Sequence, residues 1–144
     1  MTPARMTVRS VLVVDDDWQT RYGLRMALEA AGFAVCEATN GADALAQLRE
    51  GPPPDLILLD MVMPVMDGWE FRREQARDPA FARLPVVVFS AAYESAPRAA
   101  ASLGVVRVLQ KPVDCGEALT AISDLFGALD ATELEATEVS PINE

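Results

Sequence analysis

Short runs of apolar, often β-branched residues recur along the chain, each followed by a stretch where apolar positions return every three or four residues. Residues 8–14 read as a first strand that ends abruptly in Asp15-Asp16-Asp17. Residues 18–31 follow as a helix, with Tyr22, Leu24, Leu28 and Ala31 at roughly helical spacing and Gly32 as its stop. Residues 33–38 are a second strand, and Asn40-Gly41 turns the chain into a helix over 42–49 whose Leu45 and Leu48 share one side. Gly51-Pro52-Pro53-Pro54 ends that helix. Residues 56–60 form an apolar strand closing in a carboxylate, and a loop with Pro64 and Asp67-Gly68 leads to a third helix over 68–76. Residues 85–89 are a fourth strand, ending at Ser90, and an Ala-rich helix over 95–103 stops at Gly104. The fifth strand, 105–109, ends at Lys111-Pro112. Asp114 is placed to cap a last helix whose Leu119, Ile122, Leu125, Phe126 and Leu129 make an apolar stripe.

Five strand–helix units in succession predict a parallel sheet with helices on both faces. The runs at 11–14, 56–59 and 86–89 suit strands buried on both sides. The expected fold is therefore α/β, a flavodoxin-like doubly wound (βα)5 arrangement with strand order 2-1-3-4-5. The 144 residues suit one domain. Past residue 130 the chain turns acidic and polar, so residues 1–130 are expected to form the domain and 131–144 a fraying, flexible tail.

Composition narrows the function. Apolar residues make up 51% of the chain, as in a globular protein. No apolar run nears the roughly 18 residues of a membrane span, and residues 1–10 lack a secretory apolar stretch, so a cytoplasmic location is expected. The formal charge is −10, of which the last 14 residues carry −4, and this argues against nucleic acid as a partner. With no histidine, His-dependent metal sites and Ser-His or Cys-His catalysis are excluded. Cys36 and Cys115 are expected as reduced, partly buried thiols.

In an open α/β sheet, ligands bind beyond the carboxyl ends of the strands, near the point where strand order reverses. Four of the five strands deliver a polar group there: Asp15 and Asp16, Asp60, Ser90 and Lys111. Three crowded carboxylates repel one another, and a hard divalent cation such as Mg²⁺, with oxygen ligands at ~2.1 Å, relieves that. One carboxylate can then act as nucleophile towards a phosphoryl group, while Lys111 and Ser90 hold the phosphoryl oxygens. There is no G-x-x-x-x-G-K-[ST] and no G-x-G-x-x-G, so a nucleotide is not the expected donor.

Val13-Val14-Asp15-Asp16-Asp17, Leu58-Leu59-Asp60-Met61-Val62-Met63-Pro64-Val65-Met66-Asp67-Gly68, Phe89-Ser90-Ala91 and Gln110-Lys111-Pro112 resemble the successive signatures of bacterial response-regulator receivers. Their separations match too: 45 residues from Asp15 to Asp60, 30 to Ser90 and 21 to Lys111. The resemblance covers residues 8–129. It implies that Asp60 is the phosphoacceptor and that Mg²⁺ is held by Asp16, by Asp15 mostly through water, by Asp60 and by the Val62 carbonyl. It also makes Ser90 the switch hydroxyl, Lys111 the phosphoryl-binding ammonium and Lys111-Pro112 a cis bond. Phosphate would come from a histidine kinase or a histidine phosphotransfer protein, and no catalysis is expected beyond the protein's own phosphorylation and dephosphorylation. The readout would lie on the face made by the 95–103 helix, the fifth strand and the last helix. It would be read by a downstream protein or passed along a relay, with the chain a monomer or a phosphorylation-dependent dimer.

Several positions depart from the commoner receiver pattern. Val108 stands where Tyr or Phe is frequent, Pro97 lies in a short fourth helix, and Val62 and Ala92 are both apolar. Tyr93 is the aromatic left to replace the missing one on the fifth strand. Two rival readings stand beside this one: a receiver that binds partners without being phosphorylated, and an aspartyl-phosphate hydrolase, which needs an acid two residues after the nucleophile, where Val62 stands. Asp17 is expected as a helix cap, Asp67-Gly68 as a turn, and Trp18 and Trp69 as packing residues, with Trp18 close enough in sequence to touch the site.

Overall fold

The computed structural model describes residues 8–90, 107–112 and 114–142, with side chains of 8–89, 107–112 and 114–130. The elements run β1 (Ser10–Val14), α1 (Trp18–Ala30), β2 (Ala34–Ala38), α2 (Gly41–Glu50), β3 (Leu56–Asp60), α3 (Gly68–Arg77), β4 (Val86–Ser90), β5 (Arg107–Gln110) and α4 (Cys115–Ile142). The strands form one parallel sheet in the order β2-β1-β3-β4-β5, as the alternation of elements required. The expected helix at 95–103, with Pro97, Ala92 and Tyr93, lies outside the described residues.

Alternate residues of each central strand enter opposite cores, the period of two that a pleated strand imposes. Leu12, Val14, Ile57, Leu59, Val86 and Val88 pack beneath α2 and α3 with Leu45, Leu48 and Phe71. Val11, Val13, Leu56, Leu58, Val87 and Phe89 face α1 and α4 with Leu24, Leu28, Ile122 and Phe126. Each such side chain contributes roughly 1.5–3 kcal/mol on burial, so a strand fully buried on both faces tolerates no register slip.

Helix ends follow from local chemistry. Asp17 caps α1, accepting from the Gln19 N–H at 3.1 Å and the Thr20 hydroxyl at 2.7 Å. Asn40 caps α2 through the Asp43 N–H at 2.8 Å, and Asp67 with Glu70 forms a reciprocal capping box on α3. Asp114 accepts from Gly116 and Glu117 at the start of α4. Gly32, at φ 98°, supplies the left-handed residue that ends α1.

Two expectations change, for Trp18 and Cys36. Tyr22 and Trp18 are exposed, at 57% and 63%, and with Met26 they form an outward row along α1 at four-residue spacing. Leu24 and Leu28 pack into the core on the inner face of α1, which leaves this row outwards, and Arg21 and Arg25 bond Glu37 on β2. Trp69, by contrast, packs against the α2/α3 core. Cys36 is exposed rather than partly buried, because it sits on edge strand β2; Cys115 is half-buried. The last helix runs on to Ile142, past the boundary expected at 130, since residues 131–140 contain Ala, Leu and Glu and neither Gly nor Pro. Its body is tied down by Arg9, which bonds Asp130 and lies 5.1 Å from the Phe126 ring centroid. Among the described residues, no helix is long and apolar enough to cross a membrane.

Candidate functional site

Strand order reverses between β1 and β3, and these adjacent strands each bring a carboxylate to their carboxyl end. Asp15 directly follows β1. Its N–H donates to Ala38 O on β2 at 3.1 Å, and its carbonyl accepts from Arg21 Nη1 at 2.6 Å. Its side chain is fully buried, with Oδ1 accepting the Asp17 N–H at 2.8 Å. Asp60 is the last residue of β3 and is 2% exposed. Asp16 is exposed. One oxygen from each of Asp15, Asp16 and Asp60 can be chosen so that all lie within 4.8 Å of one another.

The opposing charge comes from the far side of the sheet. The register pairs Asp60 with Phe89 and Ser90 with Gln110, so Lys111, one residue past β5, emerges at the same edge. The Lys111-Pro112 bond is cis. Lys111 Nζ lies 3.2 Å from Asp15 Oδ2, 3.3 Å from Asp60 Oδ2 and 5.2 Å from the Phe89 ring centroid. Ser90 closes β4 at this edge, and its hydroxyl lies outside the described side chains.

Burial first, and then the charge on Asp15, push the Asp60 pKa up to about 6, against the pull of Lys111 and of the Val62 N–H. That N–H donates to Asp60 Oδ1 at 3.3 Å. Burial opposes the charge on Lys111, but Asp60 and Asp15 outweigh it and raise its pKa. Asp17 is held below the usual carboxylate range by the Thr20 hydroxyl and the Gln19 N–H, consistent with a cap.

The donor set fits a small hard cation. Asp15 Oδ2 is buried, takes no hydrogen bond among the described residues and is ion-paired with Lys111. Three carboxylates against one ammonium leave a formal −2, which a divalent ion would neutralise, and all the donors are oxygens. Val62 is bracketed by buried Met61 and Met63 and is itself 67% exposed.

Sequence reasoning placed Asp15, Asp16, Asp60 and Lys111 together, and the structure brings them together. It missed Arg21, whose bond to the Asp15 carbonyl anchors the end of β1, and also the buried Arg72 on α3, whose Nε and Nη1 lack hydrogen-bond partners among the described residues. Arg21 carries no distinguishing signal in the sequence. Arg72 stands one residue after Phe71 at a core-facing helical position, a pattern that periodicity could have found.

The model of the response regulator receiver domain matches residues 11–123. Protein PilH of Pseudomonas aeruginosa is 32% identical over 105 residues, which are 72% of this chain and 86% of that protein. The sensor histidine kinase CheAY of Helicobacter pylori is 34% identical over 114 residues, which are 78% of this chain but 14% of the kinase. Among solved structures, the chemotaxis response regulator CheY4 of Vibrio cholerae superposes with a TM-score of 0.75 at 27% identity, over 82% of this chain and 98% of that one. Motifs, topology and relatives agree: the chain belongs to the response regulator receiver domain family.

Proposed function

We propose that Asp60 is the phosphoacceptor of a response regulator in two-component or phosphorelay signalling, phosphorylated in the presence of Mg²⁺. The observation that carries this reading is the shared Lys111 ammonium, 3.2 Å from Asp15 and 3.3 Å from Asp60, beside a carboxylate cluster that suits a divalent ion. A histidine kinase or histidine phosphotransfer protein is the donor, and the surface altered by phosphorylation docks on a downstream protein or passes the group along a relay.

Asp16, Asp60, the Val62 carbonyl and, through water, Asp15 would hold the ion, which supplies charge neutralisation for the carboxylates and the incoming phosphoryl oxygens. An Asp60 carboxylate oxygen attacks phosphorus. The new O–P bond replaces the donor's N–P bond, whose electron pair returns to the donor nitrogen. The Val62 N–H orients Asp60 by holding Oδ1. Lys111 leaves its two carboxylates to bind a phosphoryl oxygen, and the Ser90 hydroxyl takes another, which couples the group to β4 and β5. The residue two after the nucleophile is Val62, which offers no acid, so hydrolase chemistry has no proton donor at that position.

Intact-mass measurement after treatment with a small acyl phosphate and Mg²⁺ tests this. Wild type should gain one phosphoryl group and Asp60→Asn none, and beryllofluoride should mimic the product. A wild type left unmodified under conditions that label another receiver would refute the assignment.

A further inference from the structure

We propose that Gly41, the first residue of α2, is a positioning residue for the loop that follows Asp60, acting through Met66 and a strained turn at Val65. The inference rests on the reading of Asp60 and its neighbours as an ion-binding phosphoacceptor site.

The loop joins β3 to α3 and is held at several points. At its base, the Gly68 N–H donates to Met61 O at 3.0 Å, and a Cβ at Gly68 would lie 2.7 Å from Asp60 O. The side chains of Met61 and Met63 are buried beneath α2 and α3, which leaves Val62 facing outwards between them. Further along, the Met66 N–H donates to Pro64 O at 2.8 Å, closing a three-residue turn on Val65, whose φ is 70°.

That turn is unfavourable on local grounds. A γ-turn with positive φ is rare and strained, and a β-branched residue is among the least suited to it. Burial does not compensate, since Val65 is 81% exposed. A residue held in such a conformation needs surroundings that over-determine it. The contact that does so comes from α2, an element that carries none of the site residues. The Gly41 N–H, one of the donors a helix leaves free at its start, donates to Met66 O at 2.9 Å. There is no room there for a side chain. A Cβ at position 41 would sit 2.7 Å from Met66 Cγ, 2.9 Å from Met66 O and 3.0 Å from Met66 Sδ. Asn40, which caps the same turn of α2, fixes the platform from which Gly41 reaches. Glycine at 41 thus serves close approach, and the strain at Val65 is the cost of a loop whose backbone at Val62 is set before any ion arrives.

Two variants separate this from a merely structural role. Val65→Gly removes the strain and loosens the loop, so the melting temperature in EDTA should rise while Mg²⁺ affinity, measured by calorimetry, falls by at least about threefold through lost preorganisation. Gly41→Ala should displace the backbone amide resonances of residues 61–63 and 65–67 in the metal-free protein and weaken Mg²⁺ binding by a similar factor. Mg²⁺ affinity within about twofold of wild type in Val65→Gly, or stability and affinity falling together, overturns the proposal. If Gly41→Ala does not fold, the opposed movements in Val65→Gly decide the matter. If wild type binds no Mg²⁺, the reading of Asp60 fails instead. The amides of 61–63 and 65–67 then decide the clamp: displaced in Gly41→Ala they support it, and unmoved they dispose of it.

Discussion

Only 2% of Asp60 is exposed, and its carboxylate meets that of Asp15 with a single ammonium between them. Its pKa of about 6 lies above the ordinary 3.8, so the folded state holds this proton more tightly than the unfolded chain does. Ionised Asp60 therefore costs stability above about pH 6, by roughly 2–3 kcal/mol, and that cost shrinks as pH falls from about 6 towards 4. Asp60→Asn should accordingly be more stable than wild type by roughly 2 kcal/mol in EDTA at pH 7.5, with the gain largely gone at pH 4. Urea unfolding at the two pH values reads this directly, and a variant less stable at pH 7.5 would mean that the attraction to Lys111 outweighs burial. At this scale the chemistry was legible, because Asp60 ends a recognisable strand and Asp15 and Lys111 each directly follow one. Exposure was not: Trp18 reads as a packing residue and faces solvent, because Leu24 and Leu28 take the buried side of α1.

Helices and strands were mostly readable because their signals are local. Leu56–Asp60 keeps the bounds its composition implies, and Asp17, Asn40, Asp67 and Asp114 cap where short polar side chains precede helical patterns. The end of α4 differs, since acidity suggested fraying while Ala, Leu and Glu favour a helix. A dozen helical residues are marginal in water on helix propensity alone. Removing residues 131–144, a cut that leaves Asp130 and its bond to Arg9 in place, should change the unfolding free energy by less than about 1 kcal/mol. A loss above about 2 kcal/mol in a denaturant melt would show the segment docked on the domain.

For the molecule as a whole, two cores fix one sheet, and the sheet brings carboxylates from two strands and a lysine beyond a third to one edge. An ion that binds only this assembled edge stabilises the fold through mass action. Millimolar Mg²⁺ at pH 7.5 should therefore raise the melting temperature, increasingly with concentration, and the rise should be much smaller at pH 5, where Asp60 holds its proton. Calorimetric scans with Mg²⁺ against EDTA measure it. Equal shifts at both pH values would place the stabilising ion away from Asp60.

The sequence by itself determined the order of elements, the two-sided burial of the strands and the strand ends on which Asp15, Asp60, Ser90 and Lys111 stand. These follow from periodicity, turn chemistry and the geometry of parallel βα units, all encoded within about thirty residues of chain. Only the tertiary structure decided that Asp15 and Asp60 are buried while Asp16 is exposed, that Lys111 is shared between the two buried carboxylates, and that Gly41 abuts Met66. It also decided the left-handed backbone of Val65, which no propensity of valine would place there. Burial, close approach and strain depend on segments that meet only once the sheet has closed, so no local pattern carries them.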